Sequence, residues 1–441
     1  MIPILSNLVC TVTGAAPTAS GELILSAFSD FTIILVVALV ANRLAALLKI
    51  PDVILFLLAG VFIGPMIPFW TPVKQSSVAG QIVVVFGASY ILFQGGLDLK
   101  LKTIMRYVWI IALLAIPGVL LSTLIVGGLA KIIFPILPWA AALLLGVILA
   151  PTDPATLIPI LKQVRISERL EVVIESESAF NDTTSAIIFV TIVTFLQQGQ
   201  ISLGAAAGGF LWKLVIGFGC GAGLGILAGI FISHRALGFF RDAASILTLP
   251  VAIGSYTLAE RLGGSGYLAA FIAGVFLGNC RELMPRSFDL KEGLNLEIFS
   301  MDLALICRMM IFVILGSQID FSAVKQYLLP GAILLAGFIF ISRPAVVFAF
   351  FGLDRKKRWT IKERLFLSWV RETGVMPAAL AGSLASISLN FPGQMGEVYN
   401  HFVQAIVFMA ILATLLIQAL STPWLARKLG LIRTDVEEKE R

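Results

Sequence analysis

Leu149-Ala150-Pro151-Thr152-Asp153-Pro154 lies in the middle of an apolar run, approximately 139–162. Each proline removes a helical hydrogen bond, and its ring clashes with the preceding turn. Prolines at 151 and 154 therefore unwind whatever helix the run forms. The run is long enough to cross a hydrocarbon core, which takes roughly 20 apolar residues. Irregular backbone at that depth survives only inside protein or against a wet cavity. A Thr-Asp pair is thus expected at mid-membrane, on backbone whose carbonyls are free to bind something.

The rest of the chain supports a membrane setting. Of its 441 residues, 58% are apolar and 13% charged, against about 25% charged in a soluble domain. So few charges cannot cover a water-facing surface of this size. Apolar runs between charge clusters give thirteen candidate spans, at approximately 24–48, 52–70, 78–98, 107–131, 139–162, 170–196, 204–233, 244–260, 264–279, 298–316, 326–351, 361–388 and 397–425. The fold class is therefore an all-α polytopic membrane protein. It comprises a non-cytoplasmic tail (1–23), a transmembrane domain (24–425) and a charged cytoplasmic tail (426–441).

Thirteen spans put the termini on opposite faces. With the N-terminus outside, 24 basic residues fall inside and 5 outside, and Arg308, Arg343 and Arg371 stay within or at the edge of spans. That asymmetry places the C-terminus in the cytoplasm. It also explains the net charge of +6 without nucleic acid. The basic run Arg355-Lys356-Lys357-Arg358 reads as a topology anchor. Residues 1–20 have no basic n-region, as a signal peptide would.

A second break is written into the twelfth span as Val370-Arg371-Glu372-Thr373-Gly374-Val375-Met376-Pro377. The broken spans are the fifth and twelfth. Their offset of seven is odd, so they run in opposite directions. Paired broken helices in this arrangement point to inverted repeats with a site at the midplane. The repeats are approximately 24–196 and 244–425, with 204–233 as the linker helix.

Between the breaks, the sixth span carries Glu175-Ser176-Glu177-Ser178-Ala179-Phe180-Asn181-Asp182. Glu177 with Asn181, and Ser178 with Asp182, stand four residues apart and share a broad helix face. A helix starting after Asp182 would be too short to span, so this polar load belongs inside the membrane. Carboxylate, amide, hydroxyl and freed carbonyl oxygens are hard ligands that suit a dehydrated alkali cation. Desolvation raises a buried carboxyl's pKa, so one group can take either a cation or a proton. Mutual exclusion at that group is the simplest basis for exchange.

Other chemistries find little support. The four cysteines form no CxxC pair, neither His lies deep in a span, and no HExxH or GxxxxGK[ST] occurs. No enzyme activity and no cofactor is expected. A channel or an organic-anion symporter of similar helical architecture is the alternative. The acidic sixth span argues against the anion.

These stretches resemble the monovalent cation/proton antiporter family, and most closely its NhaP-like branch. Phe56 through Pro65 resembles the family's second-helix motif, and Leu92 through Asp98 its third. Thr152-Asp153-Pro154 resembles the unwound crossing helix, Glu177 through Asp182 the Asn-Asp ion-site helix, and Gly264 through Gly274 the ninth span. The resemblance implies antiport of Na+ or K+ against H+ by alternating access, in the cell's inner (plasma) membrane, by a homodimer with core and dimerisation domains. It implies that Asp182 binds cation and proton, with Thr152 and Ser178 supplying oxygens to the cation. Asp153 sits among the broken helix ends, and Asn181 replaces the second carboxylate of the electrogenic branch. It further implies that Glu177 pairs with Arg371 as a structural ion bridge, and that Arg308 compensates carboxylates in the core. Two departures stand out: Gln94 occupies a place where many relatives carry an acid, and Arg371-Glu372-Thr373-Gly374 replaces a shorter Arg-Gly, adding Glu372.

Overall fold

The computed structural model describes residues 19–48, 50–64, 77–153, 166–198, 203–233, 239–283, 293–353, 359–384, 387 and 395–432. Residues 1–18, Pro154, the basic run 355–358 and residues 433–441 lie outside them.

Helices account for nearly all of it, in the order the apolar runs predict. The first three spans are Ala19–Leu48, Asp52–Ile63 and Val78–Asp98. The fourth is Leu101–Ala115 continued by Pro117–Ile133, the fifth Trp139–Leu149, the sixth Glu168–Gln198 and the seventh Leu203–Ser233. The eighth to tenth are Ala244–Arg261, Gly266–Gly278 and Gly293–Ser317. The eleventh runs through Phe321–Gly337, a π-helical turn at Phe338–Ser342, and Arg343–Phe351. The twelfth is split into Ile361–Trp369 and Val375–Leu384. The thirteenth runs through Met395–Ala413, a second π-helical turn at Thr414–Ala419, and Leu420–Leu429.

Among the described residues, nine helices are long and apolar enough to cross a membrane, and the four shorter apolar ones are the second, fifth, ninth and twelfth spans. Gly266–Gly278 has 13 residues. At 1.5 Å per residue that is about 20 Å of helix, less than a hydrocarbon core of about 30 Å. Large apolar side chains such as Val40, Ile82, Trp109 and Leu329 face outward, as lipid-facing helices require. Outside the helices, the described residues hold one isolated antiparallel bridge, Ile166 with Ile432. Gly430, at φ +67°, turns the chain after the last helix so that this bridge forms.

The packing repeats at an offset of seven spans. The second span packs on the tenth as the ninth packs on the third, and the fourth packs on the sixth as the eleventh packs on the thirteenth. The closest approaches match too. A Cβ on Gly316 would lie 2.1 Å from Leu57 O, and one on Gly274 would lie 2.0 Å from Phe93 O. Only glycine lets either pair of helices come so near. The first, second, third and seventh to tenth spans form one packed panel. The fourth to sixth and eleventh to thirteenth form a bundle, which meets the panel mainly through the sixth and twelfth spans. Phe180 of the sixth span stacks edge-on against Phe271 of the ninth at this seam, with centroids 5.1 Å apart.

Two interruptions were not expected from the sequence. The fourth span breaks at Ile116, just before Pro117. Its repeat mate, the eleventh, carries the π-helical turn before Arg343. Both are the local devices by which a long helix bends.

Candidate ion-exchange site

The fifth span leaves helical geometry after Leu149, and the twelfth does so between Trp369 and Val375. The two irregular segments cross and satisfy each other. Asp153 N donates to Glu372 O at 2.9 Å. Val375 N, which opens the second half of the twelfth span, donates to Asp153 Oδ2 at 3.1 Å. A carboxylate at a helix N-terminus faces the positive end of its dipole. Arg371 Nη2 donates to Ala150 O at 2.9 Å and to Leu149 O and Ser122 Oγ at 3.2 Å each. A guanidinium thus sits at the negative end of the fifth span's first half. Its face lies 4.3 Å from the Phe338 ring centroid. The crossing is so close that a Cβ on Gly374 would lie 2.0 Å from Asp153 Oδ2.

The sixth span is helical from Glu168, so its polar residues stand within the bundle. Asn181 grips Thr152 at two points: its Oδ1 accepts from Thr152 N at 3.2 Å, and its Nδ2 donates to Thr152 Oγ1 at 2.8 Å. The Ser178 hydroxyl donates to Thr152 O. Thr152, Asp153, Ser178 and Asn181 are all buried. Asp182 is half-buried, and its Oδ1 is fully covered with no hydrogen-bond partner among the described residues. The structure thus brings Ser178 and Asn181 onto Thr152, next to Asp153, and Asp182 follows Asn181 on the same helix.

Two expected pairings are corrected. Glu177 does not take Arg371 as its partner. It binds Arg343 in a bidentate fork, Nη1 to Oε1 at 2.5 Å and Nη2 to Oε2 at 2.6 Å, with both side chains under 5% exposed. Arg343 Nε also donates to Leu367 O at 3.0 Å, so the planar fork is fixed from both edges. Arg371 is committed to the backbone carbonyls of the fifth span instead. Arg308, expected to compensate core carboxylates, is turned to Asp52 at the start of the second span, at 3.9 Å. Tenth and second spans are packed side by side, and this puts the two charges at the same depth.

Arg343 and Glu372 complete the site. A small cleft is lined by Thr152, Asp153, Glu177, Arg343, Arg371 and Glu372, among others. Arg343 had a visible signal, since an ionisable residue inside an apolar run is a functional candidate by default. What the sequence lacked was a reason to prefer it over Arg371. Four carboxylates (Asp153, Glu177, Asp182, Glu372) stand here with two guanidiniums. That surplus of negative charge favours cations and opposes an organic anion.

The sodium/hydrogen exchanger transmembrane family model matches residues 32–428. Na(+)/H(+) antiporter 1 of Methanocaldococcus jannaschii is 31% identical over 79% of this chain and 80% of its own length. K(+)/H(+) antiporter NhaP2 of Shewanella sp. strain MR-4 is 28% identical over 89% of this chain and 65% of its own length. The solved structure of the sodium proton antiporter MjNhaP1 from Methanocaldococcus jannaschii superposes with a TM-score of 0.75 at 25% identity, covering 90% of this chain and 99% of that one. With its polytopic helical fold, its paired broken spans and a match along nearly its whole length, this chain belongs to the sodium/hydrogen exchanger family and is a cation/proton antiporter.

Proposed function

We propose that the chain exchanges one Na+ or K+ for one H+ at Asp182, by alternating access, in the cytoplasmic membrane. The observation that carries this reading is the buried Asp182 Oδ1 with no hydrogen-bond partner among the described residues, one residue from the amide that grips Thr152. A buried acceptor without a donor is costly, and either a cation or a proton relieves that cost. Thr152 and Ser178 supply further oxygens when the cation binds, and Asp153 holds the crossing in place. The relatives' names include both Na(+) and K(+), so either cation is consistent with the family.

Exchange is electroneutral in this reading. The Asn181 amide can ligate a cation but takes up no proton near neutral pH. Glu177 is locked to Arg343. Asp153 and Glu372 share their pocket with Arg343 and Arg371, and the proposed cycle exchanges a proton at Asp182 alone. The chain acts as a homodimer, with its N-terminus outside and its C-terminus in the cytoplasm, as the basic-residue asymmetry supports.

The test is transport in proteoliposomes with Na+, K+ and Li+ compared across pH, with and without an imposed diffusion potential. Saturable, cation-driven proton movement insensitive to the potential is expected. A rate that rises steeply with the potential rejects one-for-one exchange. Flux without a coupled proton rejects antiport at this site.

A further inference from the structure

We propose that Asn279 is a positioning residue that pins the cytoplasmic pivot between panel and bundle. The inference rests on the alternating-access reading above, in which one packed body rocks against another. The chain passes from panel to bundle between the third span, ending at Asp98, and the fourth, starting at Leu101. The two residues between are extended, Leu99 at φ −84°, ψ 130° and Lys100 at φ −81°, ψ 114°. Leu99 N closes on Gly96 O at 3.3 Å and Lys100 O accepts from Thr103 N and Ile104 N at 3.0 Å each, whereas Leu99 O and Leu101 N take an outside partner.

That partner is a single side chain of the panel. Asn279, at the C-terminal end of the ninth span, donates from Nδ2 to Leu99 O at 2.7 Å. It accepts from Leu101 N at Oδ1, at 2.8 Å. Its Nδ2 also donates to Val275 O in its own helix at 2.8 Å. Asn279 is 4% exposed and Leu99 is 5% exposed. The amide meets a donor and an acceptor on alternate residues, as a neighbouring strand would, and ties the linker to the ninth span from both sides.

The repeat mate of this linker is held otherwise. Residues 318–320 join the tenth span to the eleventh. There Gln318 N and Ile319 N donate to Leu315 O and Gly316 O of the helix they leave, at 3.4 and 3.3 Å. Asp320 caps the helix it precedes by accepting from Ser322 N at 2.8 Å. One crossing is thus tied to the panel through Asn279, while Asp320 of its mate lies 3.9 Å from His401 of the thirteenth span, within the bundle. A body carried on two such links turns about the first one. Asn279 is buried and polar, does not line the cleft at the crossing, and spends its amide on the linker and on Val275 O.

The test uses the full chain in proteoliposomes, comparing wild type, Asn279→Ala, Asn279→Asp and Asp182→Asn. Asn279→Ala removes both bonds to the linker, whereas Asn279→Asp keeps the acceptor for Leu101 N and gives up the donor to Leu99 O. Losing the pivot is expected to lower the maximal rate of Asn279→Ala by about tenfold, with the apparent KM for cation changed by less than about twofold. Asn279→Asp should fall between, with rates taken per folded, reconstituted transporter because each variant leaves buried groups of the linker without a partner. An unchanged or raised maximal rate in Asn279→Ala would overturn the proposal. So would a fall matched by a rise in KM, or one that tracks the loss of folded protein. If Asn279→Ala fails to fold, Asn279→Asp decides by the same split. Wild-type exchange in Asp182→Asn would instead overturn the ion-site reading and leave the comparison at Asn279 standing.

Discussion

The fifth and sixth spans and their repeat mates, the twelfth and thirteenth, share an architecture and divide the chemistry. In both halves a broken helix crosses the membrane beside a long one. In the first half the break delivers Thr152 and Asp153, and the long helix delivers Glu177, Ser178, Asn181 and Asp182. In the second half the break delivers Arg371 and Glu372. The thirteenth span offers neutral groups: Thr414 Oγ1 accepts from Thr373 N at 3.1 Å, and Gln418 Nε2 donates to Trp369 O at 2.7 Å. In the exchange proposed above the first half binds the cation, while the second half's break brings one guanidinium and one carboxylate to the crossing. The repeat supplies crossed helix ends facing each other, and the loss of symmetry in side chains makes a site from them.

Removing the binding half's key group should have the largest effect. Asp182→Asn is expected to bring exchange down to the level of protein-free liposomes while the purified protein keeps its melting profile. Wild-type coupling in that variant would mean the division of labour is drawn in the wrong place.

Next in size are the guanidiniums. Glu177→Ala or Arg343→Ala leaves a buried charge without its partner, typically at a cost of about 3–5 kcal/mol. Replacing both by Met should cost far less, because no charge is then stranded. Arg371→Ala leaves two carbonyls short of a donor and should cost about 1–3 kcal/mol. Melting temperatures in detergent rank these variants. A larger loss for Arg371→Ala than for Arg343→Ala would restore the pairing that the resemblance implied.

Gly374→Ala sharpens the comparison at the crossing itself. Its methyl would press on Asp153 Oδ2, and overpacking of this kind costs about 1–3 kcal/mol. We expect a clear loss of transport with a modest drop in melting temperature. Unimpaired transport would show that the crossing opens freely.

The smallest effect separates the starts of the fourth span and its mate. Lys100 gives the fourth span no side-chain cap, whereas Asp320 caps the eleventh. The Ser322 hydroxyl and backbone hold the Asp320 carboxyl below its ordinary value, aided by nearby His401 and opposed by partial burial. A depressed carboxyl adds stability above its unfolded pKa of about 4 and loses it as pH falls through the folded value. Asp320→Ala should therefore cost about 1 kcal/mol or less at pH 7, and the difference from wild type should shrink toward pH 3. A gap that widens in acid would assign the wrong sign to the cap.

Much of this was legible in the residues. Paired prolines announced the fifth-span break, and Gly374 with Pro377 announced the twelfth. The sixth span's polar load was expected inside one continuous helix, because the helix left without it would be too short to cross, and it lies within Glu168–Gln198. The choice between Arg343 and Arg371 was not legible. It depends on the π-helical turn at Phe338–Ser342, which sets where the next residue points and has no compositional signature. The Arg308–Asp52 contact was hidden for another reason, since it requires knowing which face the tenth span turns to the second. Pro117 was in plain view, but a single proline reads equally as a kink or as a tolerated first-turn residue.

The bridge between Ile166 and Ile432 has a practical corollary for anyone attaching a reporter to this protein. It ties the last described residue of the chain to the strand of backbone leading into the helix that carries Asp182. Ile166 is 2% exposed beneath it. A fluorescent domain fused directly after Ile432 would hang its weight on that tie. Fusion after Arg441 instead leaves the nine residues 433–441 between that tie and the reporter.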